Sequence, residues 1–593
     1  MWRASKPASH RIRQARAGGS LKTGTSAPAR PARPVQSNAG GQKAQWVVAE
    51  NARPGTADWR ITDNHHHGSI EGFADRVSAQ AGDSVTLYVS TTASSYRVDA
   101  YRMGYYGGLG GRLVWRSQDI AGSQQEAGVR DTKTNMVEAP WQPSVRFKPT
   151  KAWPPGDYLL KLVAATGAER YVPLTLRDDA STAAYVIQNA VTTWQAYNLW
   201  GGFDLYEGRN GTGSGFANRS RIVSFDRPYA FGDGAADFLG NEYPLISLAE
   251  SLGLDVTYWT DVDLHRHPEL AMHHKAILSL GHDEYWSASM RQGFEDARDN
   301  GVNLAFFGAN AVFRQIRLED SPLGPERHQV GYKSAREDPM SHVDTRYVTV
   351  DWRAPPVSRH EASLIGNSYE CNPVKADMVV SDASAWVFDG TGLSNGDRLP
   401  NIVGPEYDRY NLDARGPSNI QLLAHSPVKC RGDASYSDMT YYTADSGAGV
   451  FATGTNWWIS HLVAPCTDAG ETRSTCPHDD EAVRITENVL AAFGAGPAGQ
   501  AHPVEPNAKR LRTVTTEHHP SSSGSTTTAP PERAVRPTTT SSRSSSSRSS
   551  TGGSSSTTEA RPATATTATT VPRTTTTTID ESGYDSGVVV PRR

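Results

Sequence analysis

Apolar strand-like runs alternate with helix-like segments along the middle of this chain, and the alternation limits the possible folds more than any other feature. The strand-like runs are residues 183–190, 254–261, 274–281 and 302–310. Between them, residues 241–253 and 287–301 have apolar residues at helical spacing, and each of these segments ends at a glycine. Strands joined by helices form mostly parallel sheets with helices on both faces. The sequence therefore predicts a C-terminal α/β domain, which we place at residues 180–495.

The region before this domain has a different texture, with short strand-like runs and turns but no helical windows. The runs are "SVTLYVSTT", "YRVDAYRM", "GRLVWRS", "SVRFKP", "GDYLLKLVAA" and "RYVPLTLRD". Many of them alternate apolar with polar residues and are separated by Gly, Pro, Asp or Ser. Residues 45–178 are therefore predicted to form an antiparallel, immunoglobulin-like β-sandwich.

The two ends of the 593-residue chain have compositions that cannot bury a core. Residues 1–44 are rich in Arg, Ala, Ser, Gly and Pro, and residues 500–593 are dominated by Ser, Thr and Pro. Both segments are predicted to be disordered. The tail has the composition of a mucin-like stalk or of a plain solvated linker, and neither end is expected to contribute to catalysis.

Charge and composition exclude several function classes. The formal net charge is -4, with no basic stretch in the central region that would predict nucleic-acid binding. No apolar run reaches eighteen residues, so no transmembrane helix is expected, and the basic N-terminus lacks the apolar core of a secretory signal.

The chain has four cysteines, and Cys466 and Cys476 flank a short polar loop that a disulfide would close. An even number of cysteines and a stalk-like tail favour an extracellular or secreted protein over a cytoplasmic one. Four reduced thiols in a cytosolic protein remain the alternative.

Polar side chains directly follow the predicted strand at residues 274–281, in the motif "SLGHDEYWS". His282 and Glu284 are two residues apart in an extended connection, so their side chains can point the same way, as metal ligands or an acid–base pair require. Ligands of open α/β sheets bind at the carboxyl ends of the strands, where this motif lies. A surface histidine beside a glutamate that complements a helix dipole is the alternative explanation.

Three further motifs occur at corresponding places in the predicted domain. "TTWQAYNLWGGFDLYEG" contains Tyr197 and Tyr206 after the first strand, "FFGANAVF" places Asn310 after another, and "IVGPEYDRY" places Glu406 beyond a further apolar stretch. Together and in this order, the motifs resemble the catalytic domain of the N,N-dimethylformamidase large (β) subunit family. The resemblance covers about residues 180–495, and the β-rich region before it also suits the family's layout.

The resemblance implies a mononuclear iron site that holds Fe(III). Tyr197, Tyr206 and Glu284 are the implied metal ligands. Tyr229 and Tyr285 are the substitutes for the tyrosines, because this loop lacks an insertion that separates the two ligand tyrosines in the family. Two phenolates at neutral pH need a strong nearby cation, and hard oxygen ligands suit ferric iron better than zinc or copper.

The same resemblance implies three catalytic residues around the metal. His282 would shuttle a proton between the attacking water and the departing amine, Asn310 would donate to the developing oxyanion, and Glu406 would orient or deprotonate the water. Asp283 and Tyr285 are expected to face the other side of the extended segment as structural residues.

The resemblance thus implies a bacterial, iron-dependent amidohydrolase that cleaves a C–N amide bond of a small amide substrate. A non-catalytic extracellular or carbohydrate-binding protein that retains the fold is the alternative, and hydrolysis with a different metal is a third reading. The resemblance also implies a companion small subunit, for which this chain has no obvious fused counterpart. A homo-oligomer is a further partner to consider.

Overall fold

A computed structural model describes residues 42–61, 68–209, 215–411, 415–462 and 479–509. Most of the predicted leader and tail therefore lies outside the described residues, and so does the predicted Cys466–Cys476 pair. Within the described ranges, no helix is both long and apolar enough to cross a membrane.

The N-terminal part of the described chain begins with a helix, α1 (Gln45–Asn51), and continues as strands. These strands are β1 (Ile70–Ala74), β2 (Ser78–Ala79), β3 (Val85–Thr91), β4 (Ser95–Met103), β5 (Gly111–Arg116), β6 (Ile120–Ala121), β7 (Val129–Arg130), β8 (Val137–Glu138), β9 (Val145–Phe147), β10 (Gly156–Ala164) and β11 (Glu169–Leu176). All six runs predicted as strands in this region are confirmed.

Two sheets share a core in this N-terminal part. One has the order β1-β3-β9 with antiparallel pairing, and the other has the order β2-β11-β10-β4-β5. Leu87 and Val89 of β3 lie in the same apolar cluster as Val98 of β4 and Leu160 of β10. Facing strands bury their inward residues in this way when two sheets pack together. The immunoglobulin-like sandwich stays a prediction.

The rest of the described chain alternates strands and helices before it becomes rich in strands. The helices are α2 (Val191–Ala196), α3 (Phe238–Asn241), α4 (Tyr243–Ser251), α5 (Asp261–Arg266), α6 (Ala288–Asp299), α7 (Ala362–Ile365) and α8 (Asp480–Ala495). The strands are β12 (Tyr185–Asn189), β13 (Ile222–Ser224), β14 (Val256–Thr260), β15 (Ala276–Gly281), β16 (Tyr285–Ser287), β17 (Asn303–Gly308), β18 (Arg314–Ser321), β19 (Gly324–Val330), β20 (Ser368–Cys371), β21 (Ala376–Val379), β22 (Arg398–Val403), β23 (Tyr407–Arg409), β24 (Gln421–Cys430), β25 (Asp433–Thr443) and β26 (Gly449–Ala452).

A seven-stranded sheet forms the centre of this part, in the order β14-β12-β15-β17-β26-β25-β24. The pairs from β14 to β26 are parallel, whereas β25 pairs antiparallel with both of its neighbours. Every residue of β12, β15 and β17 is buried, because both faces of the sheet are covered. The mixed α/β class is confirmed, while the division into a sandwich and a separate, mostly parallel domain stays a prediction.

The two helices expected from sequence, α4 and α6, are confirmed together with their end signals. The Ser287 hydroxyl accepts a hydrogen bond from the Met290 backbone N–H at 3.2 Å and so caps the start of α6. Gly253 and Gly301 follow the two helices with φ of 68° and 92°, a left-handed conformation that favours glycine.

Strands β15 and β17 approach each other very closely at their carboxyl ends. Gly281 pairs with Gly308, and a Cβ at Gly308 would lie 1.6 Å from the Gly281 carbonyl oxygen. No side chain fits in that space at Gly308. A Cβ at Gly281, which has a φ of 54°, would lie 2.5 Å from the Asn241 carbonyl oxygen, so both positions require glycine. As a result, the residues that follow the two strands, His282 and Asn310, leave the sheet side by side.

A disulfide joins Cys371 at the end of β20 to Cys430 at the end of β24, with their Cα atoms 6.4 Å apart. Nothing in the sequence singled out this pair, because the two cysteines are 59 residues apart.

Candidate active site

The site lies where the parallel strands end, and three segments supply its oxygen donors. Tyr197 directly follows α2, which itself follows β12, and Glu284 lies just beyond β15. Tyr206 lies in the loop after Tyr197, where its backbone N–H donates to Asp204 Oδ1 at 2.7 Å. The Thr193 hydroxyl accepts from the backbone N–H of Glu284 at 2.9 Å, so α2 also fixes the segment after β15.

Two phenols and one carboxylate meet at a single point. The phenol oxygens of Tyr197 and Tyr206 are 2.8 Å apart. Tyr197 donates to Glu284 Oε2 at 2.7 Å, and Tyr206 lies 2.7 and 2.9 Å from the two carboxylate oxygens. The two rings are stacked, with centroids 4.5 Å apart. Three oxygen donors, two from one loop and one from the segment after β15, are therefore close enough to bind one ion together.

Two basic side chains border this group, and no sequence motif indicated either of them. Arg314 Nε lies 3.4 Å from Glu284 Oε1, and the Lys333 ammonium lies 3.0 Å from the centroid of the Tyr206 ring. Burial, together with the nearby Arg314 charge, lowers the pKa of Lys333 well below its usual value. Both residues come from β18 and the loop after β19, where no local sequence pattern connects them to the tyrosines.

The charges around the three oxygens favour an ionised carboxylate and neutral phenols. Burial opposes ionisation of Glu284, but the hydrogen bond and charge of His282 and the charges of Arg314 and Lys333 outweigh it and lower its pKa to about 2. Burial and the Glu284 charge raise the pKa of both Tyr197 and Tyr206 well above 10. These phenols therefore become phenolates only if a further cation joins them.

The other three predicted residues form a hydrogen-bonded group next to the tyrosines. His282 Nε2 lies 3.4 Å from Glu284 Oε2 and 3.2 Å from Glu406 Oε2. Asn310 Nδ2 donates to Glu406 Oε2 at 2.8 Å and lies 3.4 Å from His282 Nε2. Burial lowers the pKa of His282, but the charges of Glu406 and Glu284 outweigh it and raise the pKa well above 6.5.

The backbone turns sharply at Asn310, which has a φ of 57°. Asparagine adopts this left-handed conformation more readily than most residues. The backbone N–H of Asn310 donates to Asp408 Oδ1 at 2.7 Å, and burial raises the pKa of Asp408 to about 7. The turn directs the Asn310 side chain back across the end of β15 towards His282.

The structure brings together all six residues that the sequence motifs indicated for the site. Of the two substitute tyrosines, Tyr229 lies outside this group, whereas Tyr285 packs against it. Tyr229 packs edge-on against Trp194, outside the group of oxygen donors. Tyr285 stands edge-on to both Tyr197 and Tyr206, with ring centroids 6.3 and 6.5 Å away. The roles assigned to the six residues remain predictions.

Asp283 is part of the support for the site. The Asp283 Oδ2 accepts hydrogen bonds from Gln188 Nε2 at 2.9 Å and from the Ser279 hydroxyl at 2.8 Å. Its Oδ1 accepts from the Trp286 indole N–H at 2.8 Å. Burial raises the pKa of Asp283 to about 6, although these hydrogen bonds oppose the shift. The bonds hold the "HDEYW" segment to the sheet.

Glu138, Asp226 and His328 form a second group of potential metal ligands, which no sequence motif indicated. His328 Nε2 lies 2.6 Å from Glu138 Oε1, and Arg327 forms a buried ion pair with Asp226. Because Arg327 already neutralises one carboxylate, this group has less need of a cation than the two phenols have. It includes none of the six residues at the carboxyl ends of the strands.

Comparison with known proteins identifies relatives of the chain. Residues 97–469 match the sequence profile of a family described as N,N-dimethylformamidase beta subunit-like, C-terminal. The N,N-dimethylformamidase beta subunits of Paracoccus aminophilus and of an Alcaligenes species are each 22% identical over 348 residues. The aligned part is 49% of this chain but only 42% of each relative, so the chain corresponds to less than half of those proteins.

A solved structure of a Paenibacillus cycloisomaltooligosaccharide glucanotransferase was also found, with 8% sequence identity and a TM-score of 0.15. The alignment covers 74% of this chain and 81% of the other. At that TM-score the comparison supports no argument about fold or function.

Proposed function

The chain belongs to the N,N-dimethylformamidase beta subunit-like family, and on that basis we propose that it is an iron-dependent amidohydrolase that cleaves a C–N amide bond. The proposal rests on one observation above all. The oxygens of Tyr197, Tyr206 and Glu284 lie within hydrogen-bonding distance of one another, as the donors of one metal ion must.

The donor set fits ferric iron. All three donors are hard oxygen ligands, which favour a highly charged hard cation over zinc or copper. The two phenols have strongly raised pKa values in the absence of a cation, so a bound cation of high charge would release their protons and gain two anionic ligands. When bound, the metal would supply Lewis-acid polarisation of the amide carbonyl and a lowered pKa for bound water.

The chain's own residues would handle the protons. His282 Nε2 lies between two carboxylates, which would hold a proton on that nitrogen until it passes to the departing amine. Glu406 Oε2 would orient the attacking water and accept its proton, and Asn310 Nδ2 would donate to the developing oxyanion. Each such contact is typically worth about 3 kcal/mol of the activation barrier.

The grouping of all six residues supports a hydrolase over the non-catalytic binding protein that the sequence left open. A binding protein that kept only the fold would not need a histidine, two carboxylates, an amide and two tyrosines at hydrogen-bonding distances. The Glu138–Asp226–His328 group supports a different metal site less well, because Arg327 already compensates its charge.

The remaining features are part of the proposal. We propose an immunoglobulin-like sandwich before the catalytic domain, which the shared core of the two N-terminal sheets supports. The Cys371–Cys430 disulfide supports export, since disulfides persist in oxidising compartments. Because both relatives are named as subunits, a companion subunit is the partner to search for.

The experiment is turnover of a linear amide by the full chain after iron loading. N,N-dimethylformamide is the first substrate to test, because the relatives are named for it, and release of dimethylamine is the readout. We expect turnover that a chelator abolishes and iron restores. The Glu284→Gln variant should lose both metal and activity, whereas Arg346→Ala, an exposed change outside the site, should keep both. An iron-loaded protein that hydrolyses no linear amide would contradict the proposal.

A further inference from the structure

We infer that Asn372 is a positioning residue for Glu406, and that the Cys371–Cys430 disulfide keeps Asn372 in place. The inference rests on the proposed hydrolase. It assigns a role in that site to two features, a loop asparagine and a disulfide, that the sequence motifs of the site do not include.

The Asn372 amide holds the outer oxygen of the Glu406 carboxylate. Asn372 Nδ2 donates to Glu406 Oε1 at 2.8 Å. The other oxygen, Oε2, accepts from Asn310 Nδ2 at 2.8 Å and lies 3.2 Å from His282 Nε2. A carboxylate rotates as a unit, so fixing Oε1 also fixes the direction of Oε2. Asn372 therefore controls the oxygen that faces the reacting groups without lying among them.

Arg431 fixes the orientation of the Asn372 amide. Its Nη2 donates to Asn372 Oδ1 at 3.0 Å, and its Nε donates to the Asn372 backbone carbonyl at 2.9 Å. Because the guanidinium only donates hydrogen bonds, it must face the amide oxygen. The amide nitrogen is then left to face Glu406. Arg431 lies in the turn between β24 and β25, with a φ of 51°.

The disulfide joins the two segments that make this contact. Cys371 precedes Asn372 and Cys430 precedes Arg431, so the covalent bond lies beside both partners. Cys371 also pairs across β20 and β23 with Tyr407, the residue directly after Glu406. Asn372, Arg431 and Glu406 are therefore all held within one or two residues of the cross-link.

The metal donors do not depend on this arrangement. Tyr197, Tyr206 and Glu284 come from the segments after β12 and β15, which the disulfide does not connect. Loss of Asn372 or of the disulfide should thus leave the iron in place and disturb only Glu406. A disulfide that merely stabilised the fold would instead alter the unfolding midpoint and leave kcat unchanged.

The experiment compares variants of the iron-loaded full chain with N,N-dimethylformamide as the probe. The variants are Asn372→Ala, the pair Cys371→Ser with Cys430→Ser, and their combination. Asn507→Ala is the matched control. Asn507 Nδ2 also donates to a carboxylate, Asp382 Oδ2, at 3.1 Å, but within the described chain Asn507 contacts none of the six site residues. Iron content, kcat and KM are measured for each.

We expect Asn372→Ala to lower kcat at least tenfold while iron content and KM stay within about twofold of the wild type. The cysteine pair should show a similar loss, and the combination should be no slower than Asn372→Ala alone, because the effects act through one contact. Asn507→Ala should change only the unfolding midpoint. If Asn372→Ala keeps the wild-type kcat, the inference is wrong although the hydrolase proposal stands.

If the iron-loaded wild type turns over no N,N-dimethylformamide, crystal structures of the wild type and of Asn372→Ala decide the inference by themselves. A Glu406 carboxylate that turns away from His282 in the variant supports it. A carboxylate that keeps both its Asn310 and His282 contacts overturns it.

Discussion

The phenol oxygens of Tyr197 and Tyr206 lie 2.8 Å apart, and both approach the Glu284 carboxylate within 2.7 Å. This contact joins residues 197 and 206 of one loop to a segment 87 and 78 positions further along the chain, respectively. Burial and the Glu284 charge raise the pKa of each phenol well above 10, so ionisation of the two phenols at neutral pH requires a nearby cation.

His282 is expected to act on protons rather than to bind the metal. The His282→Gln variant keeps a polar side chain beside Glu406 but cannot carry the proton. We expect kcat to fall by about 10²-fold or more, while the iron content per chain stays at the wild-type level. Steady-state kinetics with elemental analysis of the same samples checks this. A variant that lost its iron would instead identify His282 as a metal ligand.

The buried ion pair between Arg102 and Glu250 should be important for stability. Both side chains are fully buried, and Arg102 donates to Glu250 Oε2 at 3.0 Å. Glu250→Gln leaves the guanidinium buried without a counter-charge, which costs about 3–5 kcal/mol of unfolding free energy. Urea denaturation followed by circular dichroism measures this loss.

An exposed ion pair provides the control for that prediction. Arg346 and Asp344 form a bidentate pair on the surface, where water and salt screen the attraction. Arg346→Ala should leave the urea midpoint unchanged. Equal shifts for Glu250→Gln and Arg346→Ala would show that burial does not set the strength of the Arg102–Glu250 pair.

Asp157 should make stability depend on pH. It joins strand β10 to the central sheet, because its Oδ1 accepts from Thr175 and from Asn189. Its Oδ2 has no hydrogen-bond partner within the described residues. Burial raises the Asp157 pKa from 3.8 to about 7, although the two hydrogen bonds oppose the shift.

The sign of the effect follows from the direction of that shift. A raised pKa in the folded state stabilises the protein fully below pH 3.8, and this contribution is lost as the pH rises towards 7. Asp157→Asn cannot ionise, so its stability relative to the wild type should increase between pH 5 and pH 8, by about 1.4 kcal/mol per pH unit at most. Urea midpoints at the two pH values test this, and a constant difference would refute the raised pKa.

Local sequence patterns were enough to predict the elements that carry the site. Apolar runs gave β12, β15 and β17, and Ser287 with Gly301 gave the two ends of α6, because these signals depend only on neighbouring residues. The choice of Tyr197 and Tyr206 over Tyr229 and Tyr285 came from the family resemblance, and the contacts of the two phenols with Glu284 agree with it.

Residues that reach the site from distant segments could not be predicted in this way. Lys333, Arg314 and Asn372 contact site residues only because β18, β19 and β20 fold back over the ends of the parallel strands. The disulfide is a similar case. Sequence spacing drew attention to Cys466 and Cys476, whereas the described bond joins Cys371 and Cys430 across 59 residues.

The visible spectrum of the purified, iron-loaded protein, recorded with its metal content, tests the central claim most directly. Phenolates bound to ferric iron absorb visible light by charge transfer. We predict one iron per chain and a coloured protein, with the band weakened in both Tyr197→Phe and Tyr206→Phe and absent from the double variant. A colourless wild type that takes up no iron, or a band that survives in the double variant, would contradict the account.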